Sequence, residues 1–312
     1  MAAHFPPLSA ANLKPCFHQV GGHMANDSEP ESYVDDEGRF YKPYTDGPRA
    51  EREIQFYHAL FLTDEMLAGT PRPNSAYPSA TDTAPEGTPH TSPDEGDLEG
   101  LRPFVPRFYG TLAHGGKNLL ALEDMARQYK KPCVLDVKMG FSSVYPWAEQ
   151  RYITKFNIKD AETTQASCGF RISGFKVYRP ATGEWFQPDR QWGRDRTKDN
   201  VGDTFTLFAS GEGGISAKDL WGHAALGALA PIRAFTAWAH KQTSFRFYQA
   251  SLLIMYEGEA TKIEDAHVRV SYVDFAHCFQ SLGQNDENLS TACDSLVTII
   301  NTAIAADEAL AA

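Results

Sequence analysis

The chain has 312 residues, of which 42% are hydrophobic and 22% are charged. This is the ordinary composition of a globular protein, and the length allows one large domain or two lobes with a sizeable core. The formal net charge of −11 repels nucleic acids and anionic membranes, so we expect neither as a direct partner. A local basic pocket for a small phosphorylated molecule is compatible with this charge.

The cysteines and the apolar runs indicate the cellular compartment of the protein. Five cysteines are scattered without a C-x-x-C pair, which indicates a reducing compartment rather than a disulfide framework or a zinc site: Cys16, Cys133, Cys168, Cys278 and Cys293. The best candidate for an apolar membrane span, Ala224–Ala239, is interrupted by Pro231 and Arg233. The N-terminus lacks the pattern of a signal peptide. We expect a monomer in the nucleus, the cytoplasm or both, neither secreted nor membrane-spanning.

The chain is predicted to form an N-lobe of residues 1–125 and a C-lobe of residues 126–312. Residues 69–98 are rich in Pro, Ser, Thr, Gly and acids. They contain too few apolar side chains to fold by themselves, and we interpret them as a disordered insertion in the N-lobe. The polar stretch Gln187–Asp203 contains four basic residues and is expected to be a surface loop.

Apolar patterning predicts the secondary structure. The helix Ala50–Phe61 has Ile54, Tyr57 and Phe61 on one face. Other helices are expected at Trp147–Asp160, Ala217–Ala239 and Leu289–Ala306, and strands at Gly38–Pro43, Phe104–Gly110, Asn118–Leu122, Phe170–Tyr178, Phe245–Tyr256 and His267–Phe275. The abrupt change to charged residues at Glu123-Asp124-Met125 indicates a hinge.

An acid and a base stand two residues apart in the apolar run Pro132–Gly140. Side chains two apart in a strand share a face, so Asp136 and Lys138 project together while Val137 and Met139 point the other way. Buried charges are costly unless they are paired or used. A structural ion pair and a functional pair are both compatible with this pattern alone.

Two other charged positions can each be interpreted as functional or as purely structural. Asp274 ends the alternating strand His267–Phe275, where it either offers oxygens to a hard cation or caps the next turn. Lys42 precedes Glu53 by eleven residues, either as the phosphate-binding ion pair of a protein kinase or as two solvated surface charges. The order of these positions along the chain is that of the parts of a kinase-like ATP site.

The run Pro132-x-x-x-Asp136-x-Lys138-x-Gly140 resembles the signature of the inositol polyphosphate kinase family. Its companions are Ser251-Leu252-Leu253, Val273-Asp274-Phe275-Ala276-His277, Gly22-His23-Met24 and Glu123-Asp124-Met125. The similarity runs from about residue 16 to the C-terminus, apart from residues 69–98 and parts of 182–215. Along Cys168–Tyr178 it is greatest towards the plant-type multikinases of the family.

The resemblance implies an α+β fold with two kinase-like lobes, related to protein kinases and ATP-grasp enzymes. It implies antiparallel sheets and a helical segment that binds inositol phosphate. ATP would lie between the lobes, with its adenine on the hinge backbone at Glu123 and Met125. Lys42, held by Glu53, would bind phosphate oxygens, and Asp274 would carry Mg²⁺.

The same resemblance assigns the catalytic pair. Asp136 would face the nucleotide, commonly its ribose in the family. Lys138 would face the inositol hydroxyl and the phosphoryl group in transfer, with an electrostatic role. Phosphoryl transfer depends mostly on positioning and charge stabilisation, so the proton acceptor stays open.

Three cations on the helix after the signature are candidates for binding the phosphates of the substrate. Arg151, Lys155 and Lys159 are spaced by four and therefore stack on one side of a helix, where a polyanion would relieve their repulsion. An ordinary solvated basic face is the alternative. The resemblance adds Tyr152, Lys176 and His277 as substrate contacts, although an aromatic residue at 152 weakens that transfer.

The leading hypothesis is an ATP-dependent multikinase that phosphorylates inositol 1,4,5-trisphosphate and inositol tetrakisphosphate towards the pentakisphosphate. The family implies the 3- and 6-hydroxyl groups as acceptors. A kinase that makes pyrophosphates from inositol hexakisphosphate shares the signature and is the nearest rival. A kinase-fold adaptor in gene regulation is the rival from another class, and the intact acidic and basic signature residues argue against an inactive enzyme.

Overall fold

The computed structural model describes residue 8 and residues 12–16, 32–61, 93–209 and 213–311. The glycine pair Gly21-Gly22 and the motif Gly22-His23-Met24 lie outside the described residues. The same holds for residues 69–92 of the predicted insertion, so the interpretation of that part as disordered stays a prediction.

A five-stranded N-terminal sheet with strand order β1-β2-β3-β5-β4 is the first structural unit. Its strands are β1 Lys14–Pro15, β2 Tyr33–Val34, β3 Arg39–Tyr44, β4 Phe108–His114 and β5 Lys117–Glu123. All neighbours pair antiparallel. The helix α1, Pro48–Phe61, follows β3. Helix α2, Glu95–Leu101, and a 3₁₀ turn at Arg102–Phe104 lead back to β4.

A second antiparallel sheet, here called the central sheet, has the strand order β11-β10-β6-β7-β8. Its strands are β6 Pro132–Met139, β7 Phe170–Arg179, β8 Glu184–Phe186, β10 Ser251–Glu257 and β11 Arg269–Val273. A two-stranded sheet pairs β9, Phe245–Phe247, with β12, Cys278–Gln280. The segment between Glu123 and Pro132 connects the two large sheets, and the predicted lobe boundary at residue 125 falls within it.

Helices cover the central sheet and form the rest of this half. They are α3 Gln150–Ala161, α4 Thr164–Cys168, α5 Arg190–Arg194, α6 Asp203–Phe208, α7 Ala217–Gly222, α8 Leu229–Lys241, α9 Ile263–Ala266 and α10 Glu287–Ala311. The predicted helix Ala217–Ala239 is therefore two helices, and the predicted strand Phe245–Tyr256 is two strands that belong to different sheets.

The signature strand β6 lies in the middle of the central sheet, between β10 and β7. Val137 and Met139 are buried in the main hydrophobic core, while Asp136 and Lys138 project from the opposite face, as the strand period predicts. An extra residue in β7 shifts the register between Asp136 and Val137, where a β-bulge interrupts the ladder. The bulge decides which β7 side chains share the face of Lys138.

Aromatic packing attaches α1 to the C-terminal half of the chain. The ring of Phe56 stacks on Phe275 with centroids 4.1 Å apart, and Tyr57 meets Phe275 edge to face at 5.5 Å. The guanidinium of Arg52 donates to the Ala276 carbonyl at 2.9 Å. Buried aromatic rings contribute more to packing than other side chains. The helix that follows the N-terminal strand β3 is thus fixed on the segment that follows β11.

Two sequence expectations about loops are wrong in part. Residues 95–98 of the predicted insertion begin α2, whose N-cap Asp94 accepts from two backbone amides, and Leu98 is buried in the core. Within Gln187–Asp203, the helix α5 has Asp189 as its N-cap, and Val201 is fully buried. The polar composition hid these elements because short capped helices need only one or two buried side chains.

One helix segment among the described residues, Glu287–Ala309, is long and apolar enough to cross a membrane by length and composition. This segment differs from the apolar run Ala224–Ala239 that the sequence favours. Leu289, Leu296 and Ile300 on this helix are buried in the main core. The core helix of a globular protein passes the same test of length and composition.

Gly169, which ends α4 in a left-handed conformation with φ 77°, tests the packing of α10. An added Cβ would lie 2.9 Å from the Ala292 Cα of α10. We expect Gly169→Ala to lower the free energy of unfolding by about 3 kcal/mol, from left-handed strain and overpacking together. Gly283→Ala is the matched control, because Gly283 has φ 80° and open space around it; it should lose only about 1 kcal/mol. Equal shifts in urea unfolding would contradict the close approach.

Candidate active site

A cleft of about 180 Å³ lies between the N-terminal sheet and the central sheet. Phe40 and Leu122 line it from the first sheet, and Val134, Leu253 and Met255 line it from the second. The connecting residues Glu123-Asp124-Met125 close one end. An apolar slot between two sheets, bordered by an exposed backbone segment, suits a planar aromatic base.

At the other end of the cleft, one carboxylate is shared by two lysines. Asp274 follows β11 with φ 69°, in the left-handed region that a non-glycine residue rarely adopts. Its Oδ1 accepts from Lys42 Nζ at 3.0 Å, and its Oδ2 lies 3.4 Å from Lys138 Nζ. Burial acts to raise the pKa of Asp274, but the two ammonium groups outweigh it and hold that pKa well below its usual range. Asp274 is therefore ionised at neutral pH.

The second partner of Lys42 is Glu53 on α1, whose Oε1 lies 2.8 Å from the ammonium nitrogen. The Glu53 side chain is 5% exposed, so the solvated-surface interpretation of this pair is wrong. Burial acts to lower the pKa of Lys42, while Asp274 and Glu53 raise it above the ordinary value. The predicted strand–helix ion pair is confirmed as a geometry, and it presents a fixed positive charge to the cleft.

Asp136 is buried on the cleft face of β6. Among the described residues, its Oδ1 has no hydrogen-bond partner. Burial raises the pKa of Asp136, the nearby Asp274 carboxylate raises it further, and Lys138 opposes both. A buried acceptor without a donor is expensive. The free oxygen indicates a group that receives its partner from a ligand.

Asp274 and the free oxygen of Asp136 offer carboxylate oxygens that fit a divalent metal ion. The described part of the chain contains no cluster of three or more His, Cys, Asp or Glu side chains that could hold a metal alone. Mg²⁺ is usually bound by one or two carboxylates together with phosphate oxygens and water. Two acidic groups at the polar end of a base-sized slot match this pattern and leave the remaining ligands to a nucleotide.

Lys138 also borders a basic region, which lies towards the neighbouring strand β7. Its ammonium donates to the Gln249 carbonyl oxygen at 2.7 Å. Burial lowers the pKa of Lys159, and the charges of Arg171, Arg194 and Lys138 lower it further, to about 8. We call Lys138, Lys159, Arg171 and Arg194 the cation cluster. Such a group of like charges favours a polyanionic ligand.

Arg171 and Arg194 were missed by sequence reasoning. The β-bulge pairs Arg171 with Lys138, and Arg171 lies 3.7 Å from Asp160 of α3. A signal for the bulge exists in the sequence, because apolar positions in β7 change phase between Phe170-x-Ile172 and Phe175-x-Val177. Arg194 belongs to α5, which lies within the predicted surface loop Gln187–Asp203.

The helix α3 carries the three predicted cations into different surroundings. The Arg151 side chain is 88% exposed and pairs with Glu149 at 2.7 Å. Lys155 is exposed, and its ammonium lies 5.6 Å from the ring centroid of Phe156, as does that of Lys159. Only Lys159 joins the cation cluster, so Arg151 and Lys155 keep the appearance of a solvated basic face.

Lys176 lies at the opposite end of β7 from the cation cluster. It pairs in register with Val134, which lines the cleft near the hinge, and its ammonium lies 4.4 Å above the ring of Trp185. Burial lowers its pKa. The structure does not bring Lys176 together with Lys138, and its role as a substrate contact stays a prediction.

Tyr152 and His277 form a wall beside Lys138, with ring centroids 5.8 Å apart. The Tyr152 hydroxyl donates to the Ser143 carbonyl at 3.1 Å and accepts from the Gln249 amide. Burial lowers the pKa of His277 to about 3, and Arg49, Arg52 and Lys138 add to the effect. His277, whose charge state the sequence left open, is therefore neutral at pH 7, and its buried Nδ1 has no partner among the described residues.

Comparisons with known proteins find relatives of the chain in sequence and in fold. A family model described as inositol polyphosphate kinase matches residues 119–301. Inositol polyphosphate multikinase alpha of Arabidopsis thaliana is 31% identical over 303 residues, which is 92% of this chain and 95% of that protein. The similarity therefore extends beyond the signature to nearly the whole length of both proteins.

Two solved structures are similar in fold. One, from structural studies and protein engineering of inositol phosphate multikinase, has a TM-score of 0.57, 32% identity, and coverage of 64% of this chain and 89% of that chain. The other, inositol phosphate multikinase Ipk2 of S. cerevisiae in complex with ADP and Mn²⁺, has a TM-score of 0.55, 24% identity and coverage of 65% and 89%. The predicted α+β kinase-like fold with antiparallel sheets is confirmed.

The ion pair of Lys42 gives a first test of the site. In Glu53→Gln the lysine keeps only Asp274, so we expect the affinity for a fluorescent ATP analogue to fall about tenfold, as for a lost charged hydrogen bond. Glu51→Gln is the control, because Glu51 is exposed on the same helix and should bind the analogue like the wild type. Unchanged affinity in Glu53→Gln would show that the pair does not position a phosphate ligand.

Proposed function

The chain belongs to the inositol polyphosphate kinase family, and on this basis we propose that it is an ATP-dependent inositol polyphosphate multikinase. Its proposed substrates are inositol 1,4,5-trisphosphate and inositol tetrakisphosphate, phosphorylated at the 3- and 6-hydroxyl groups towards the pentakisphosphate. The observation that carries the proposal is the Asp274 carboxylate, which binds Lys42 on one side and Lys138 on the other. This carboxylate lies where a nucleotide cleft meets a basic region.

The cleft accounts for ATP as the phosphoryl donor. The adenine enters the apolar slot between Leu122 and Met255, next to the hinge backbone at Glu123 and Met125. The triphosphate then extends towards Lys42, whose ammonium is kept charged and oriented by Glu53. The proposed co-substrate is therefore bound by one fixed cation and by apolar contact on both faces of its base.

The reacting phosphoryl group lies between Lys42 and Lys138 in this arrangement. Asp274 would carry Mg²⁺, with the free oxygen of Asp136 as a candidate second ligand, and the ion would supply positive charge to the phosphate oxygens. Lys138, fixed by Gln249 and Asp274, stabilises the charge that develops as the phosphoryl group moves towards the inositol hydroxyl. His277 is neutral and offers a hydrogen bond rather than a charge. Positioning and charge stabilisation supply most of the rate in such a reaction.

The cation cluster accounts for a polyphosphorylated acceptor. Lys159 and Arg171 surround the approach to Lys138, and Arg194 adds a third charge from α5. Like charges this close are unfavourable without an anion, and each phosphate group of the substrate offers about two negative charges at neutral pH. Arg171 is oriented by Asp160 and Gln165. Arginine held in this way is suited to phosphate oxygens because its donors form a rigid fork.

We also propose that the enzyme works as a monomer in the nucleus or the cytoplasm, without nucleic acid or membrane as a direct partner. The scattered cysteines, which include no C-x-x-C pair, support a reducing compartment. Its net charge of −11 makes the cation cluster a local exception to an acidic molecule.

A panel assay tests the proposed function. The purified chain is incubated with ATP, Mg²⁺ and single inositol phosphates, and the products are separated by anion-exchange chromatography. We expect the trisphosphate and tetrakisphosphate to be converted, with Lys138→Ala losing at least about a hundredfold in kcat while it still binds ATP. Lys130→Ala, at an exposed lysine, should match the wild type. Pyrophosphate products made only from inositol hexakisphosphate, or no product at all, would refute the proposal.

The low pKa of Lys159 predicts a pH dependence of substrate binding. The ammonium is charged below pH 8 and loses its proton above it, and an anionic substrate binds the charged form more tightly. The apparent KM for inositol trisphosphate should therefore rise by about three- to tenfold between pH 7.5 and 9. Lys159→Arg keeps its charge over this range and should show a flat profile. A wild-type KM independent of pH would contradict the placement of Lys159 at a phosphate.

A further inference from the structure

Gln249 lies in the segment between β9 and β10 and has φ 59°, in the left-handed region. The backbone on either side of it is fixed. The Tyr248 amide donates to the His277 carbonyl at 3.1 Å, and the Ala250 carbonyl accepts from the Met139 amide at 2.9 Å. A non-glycine residue stays in this conformation only when its surroundings determine it, and such residues are concentrated at functional sites.

The two polar groups of Gln249 bind two different parts of the site. Its main-chain carbonyl accepts the hydrogen bond from Lys138 Nζ at 2.7 Å. Its side-chain amide donates to the hydroxyl of Tyr152 on α3. The left-handed backbone allows both contacts. It directs the Gln249 carbonyl towards the central sheet and the Gln249 side chain towards α3.

Tyr152 completes the connection. Its hydroxyl also donates to the Ser143 carbonyl at 3.1 Å, and its ring packs against Phe156 of the same helix with centroids 4.4 Å apart. Both bonding directions of the hydroxyl are therefore in use within the protein. Tyr152 thus holds α3 against Gln249, and its predicted contact with substrate stays a prediction.

We propose that Gln249 is a positioning residue for phosphoryl transfer, because it joins the ammonium group of Lys138 to the substrate helix α3 through Tyr152. This proposal rests on the proposed function and adds a residue that acts through Lys138. When α3 is in place, the amide contact fixes the Gln249 side chain, and the carbonyl of the same residue fixes Lys138. The direction of the ammonium group then depends on a contact with the helix that carries Lys159.

Gln249→Gly and Tyr152→Phe test the connection, because both remove the hydrogen bond between the Gln249 amide and the Tyr152 hydroxyl; Tyr152→Phe also removes the bond from that hydroxyl to the Ser143 carbonyl. Glycine keeps the left-handed backbone and the carbonyl, and phenylalanine keeps the ring packing. Each single variant should lose about five- to tenfold in kcat, with the KM for ATP within twofold of the wild type. The double variant should lose no more than the worse single variant, because the Gln249–Tyr152 contact is already absent in each single variant. Losses that multiply, or an unchanged kcat, would overturn the proposal.

Leu282→Gly is the matched control. Leu282 also has a left-handed φ, 57°, and is exposed in the segment between β12 and α10. It should keep the wild-type kcat and KM, which separates the effect of a new glycine from the loss of the amide. Thermal unfolding of all variants is measured in parallel. A lower melting temperature with an unchanged kcat of the folded enzyme would assign Gln249 a purely structural role and refute the positioning role.

A second readout separates failure of this proposal from failure of the proposed function. If the wild type phosphorylates no inositol phosphate, the function fails, and the variants are compared by their slow hydrolysis of ATP in the presence of Mg²⁺. This reaction depends on Lys138 but on no inositol ring. A fivefold or greater loss in both single variants would still support the positioning role, and hydrolysis equal to that of the wild type would overturn it.

Discussion

The site depends on one carboxylate that holds two lysines from different sheets. Asp274 brings Lys42 of β3 and Lys138 of β6 to opposite oxygens of the same group. Without this carboxylate the two ammonium groups would repel each other across the cleft, since ionic interactions strengthen as water is excluded. The left-handed backbone at Asp274 is the local strain that this arrangement requires. The carboxylate that balances the two lysine charges of the cleft therefore belongs to a residue, Asp274, in an uncommon backbone conformation.

That conformation is supported by packing directly behind it. Phe275 stacks on Phe56 of α1, and the same helix carries Glu53 to the ammonium of Lys42. Arg52, one residue before Glu53, donates to the Ala276 carbonyl. One helix thus buries an apolar anchor, binds the backbone after Asp274 and supplies the second carboxylate. This aromatic core fixes the positions of the charged groups before any ligand binds.

Around the cation cluster, towards β7, the charge balance is reversed, because cations there outnumber carboxylates. Asp160 accepts from the Ser143 amide and hydroxyl and lies near Arg171, but no carboxylate among the described residues pairs with Lys159. Burial and neighbouring charges therefore lower the pKa of Lys159. The surroundings of Lys138 therefore differ in charge balance between the cleft and the cation cluster. The side with paired charges suits a nucleotide and a metal ion, and the side with unpaired cations suits a polyanion.

The sequence by itself determined the elements whose information is local. The strand period placed Asp136 and Lys138 on one face, the spacing of Lys42 and Glu53 indicated a strand–helix pair, and the signature indicated the family. Only the tertiary structure decided that Arg171 lies beside Lys138, because a bulge in β7 changes the register. It also decided that Gln249 binds both Lys138 and Tyr152, because that contact joins segments about a hundred residues apart. Periodicity and motifs report what a chain does within a few residues, whereas these contacts depend on register, turns and packing between distant segments.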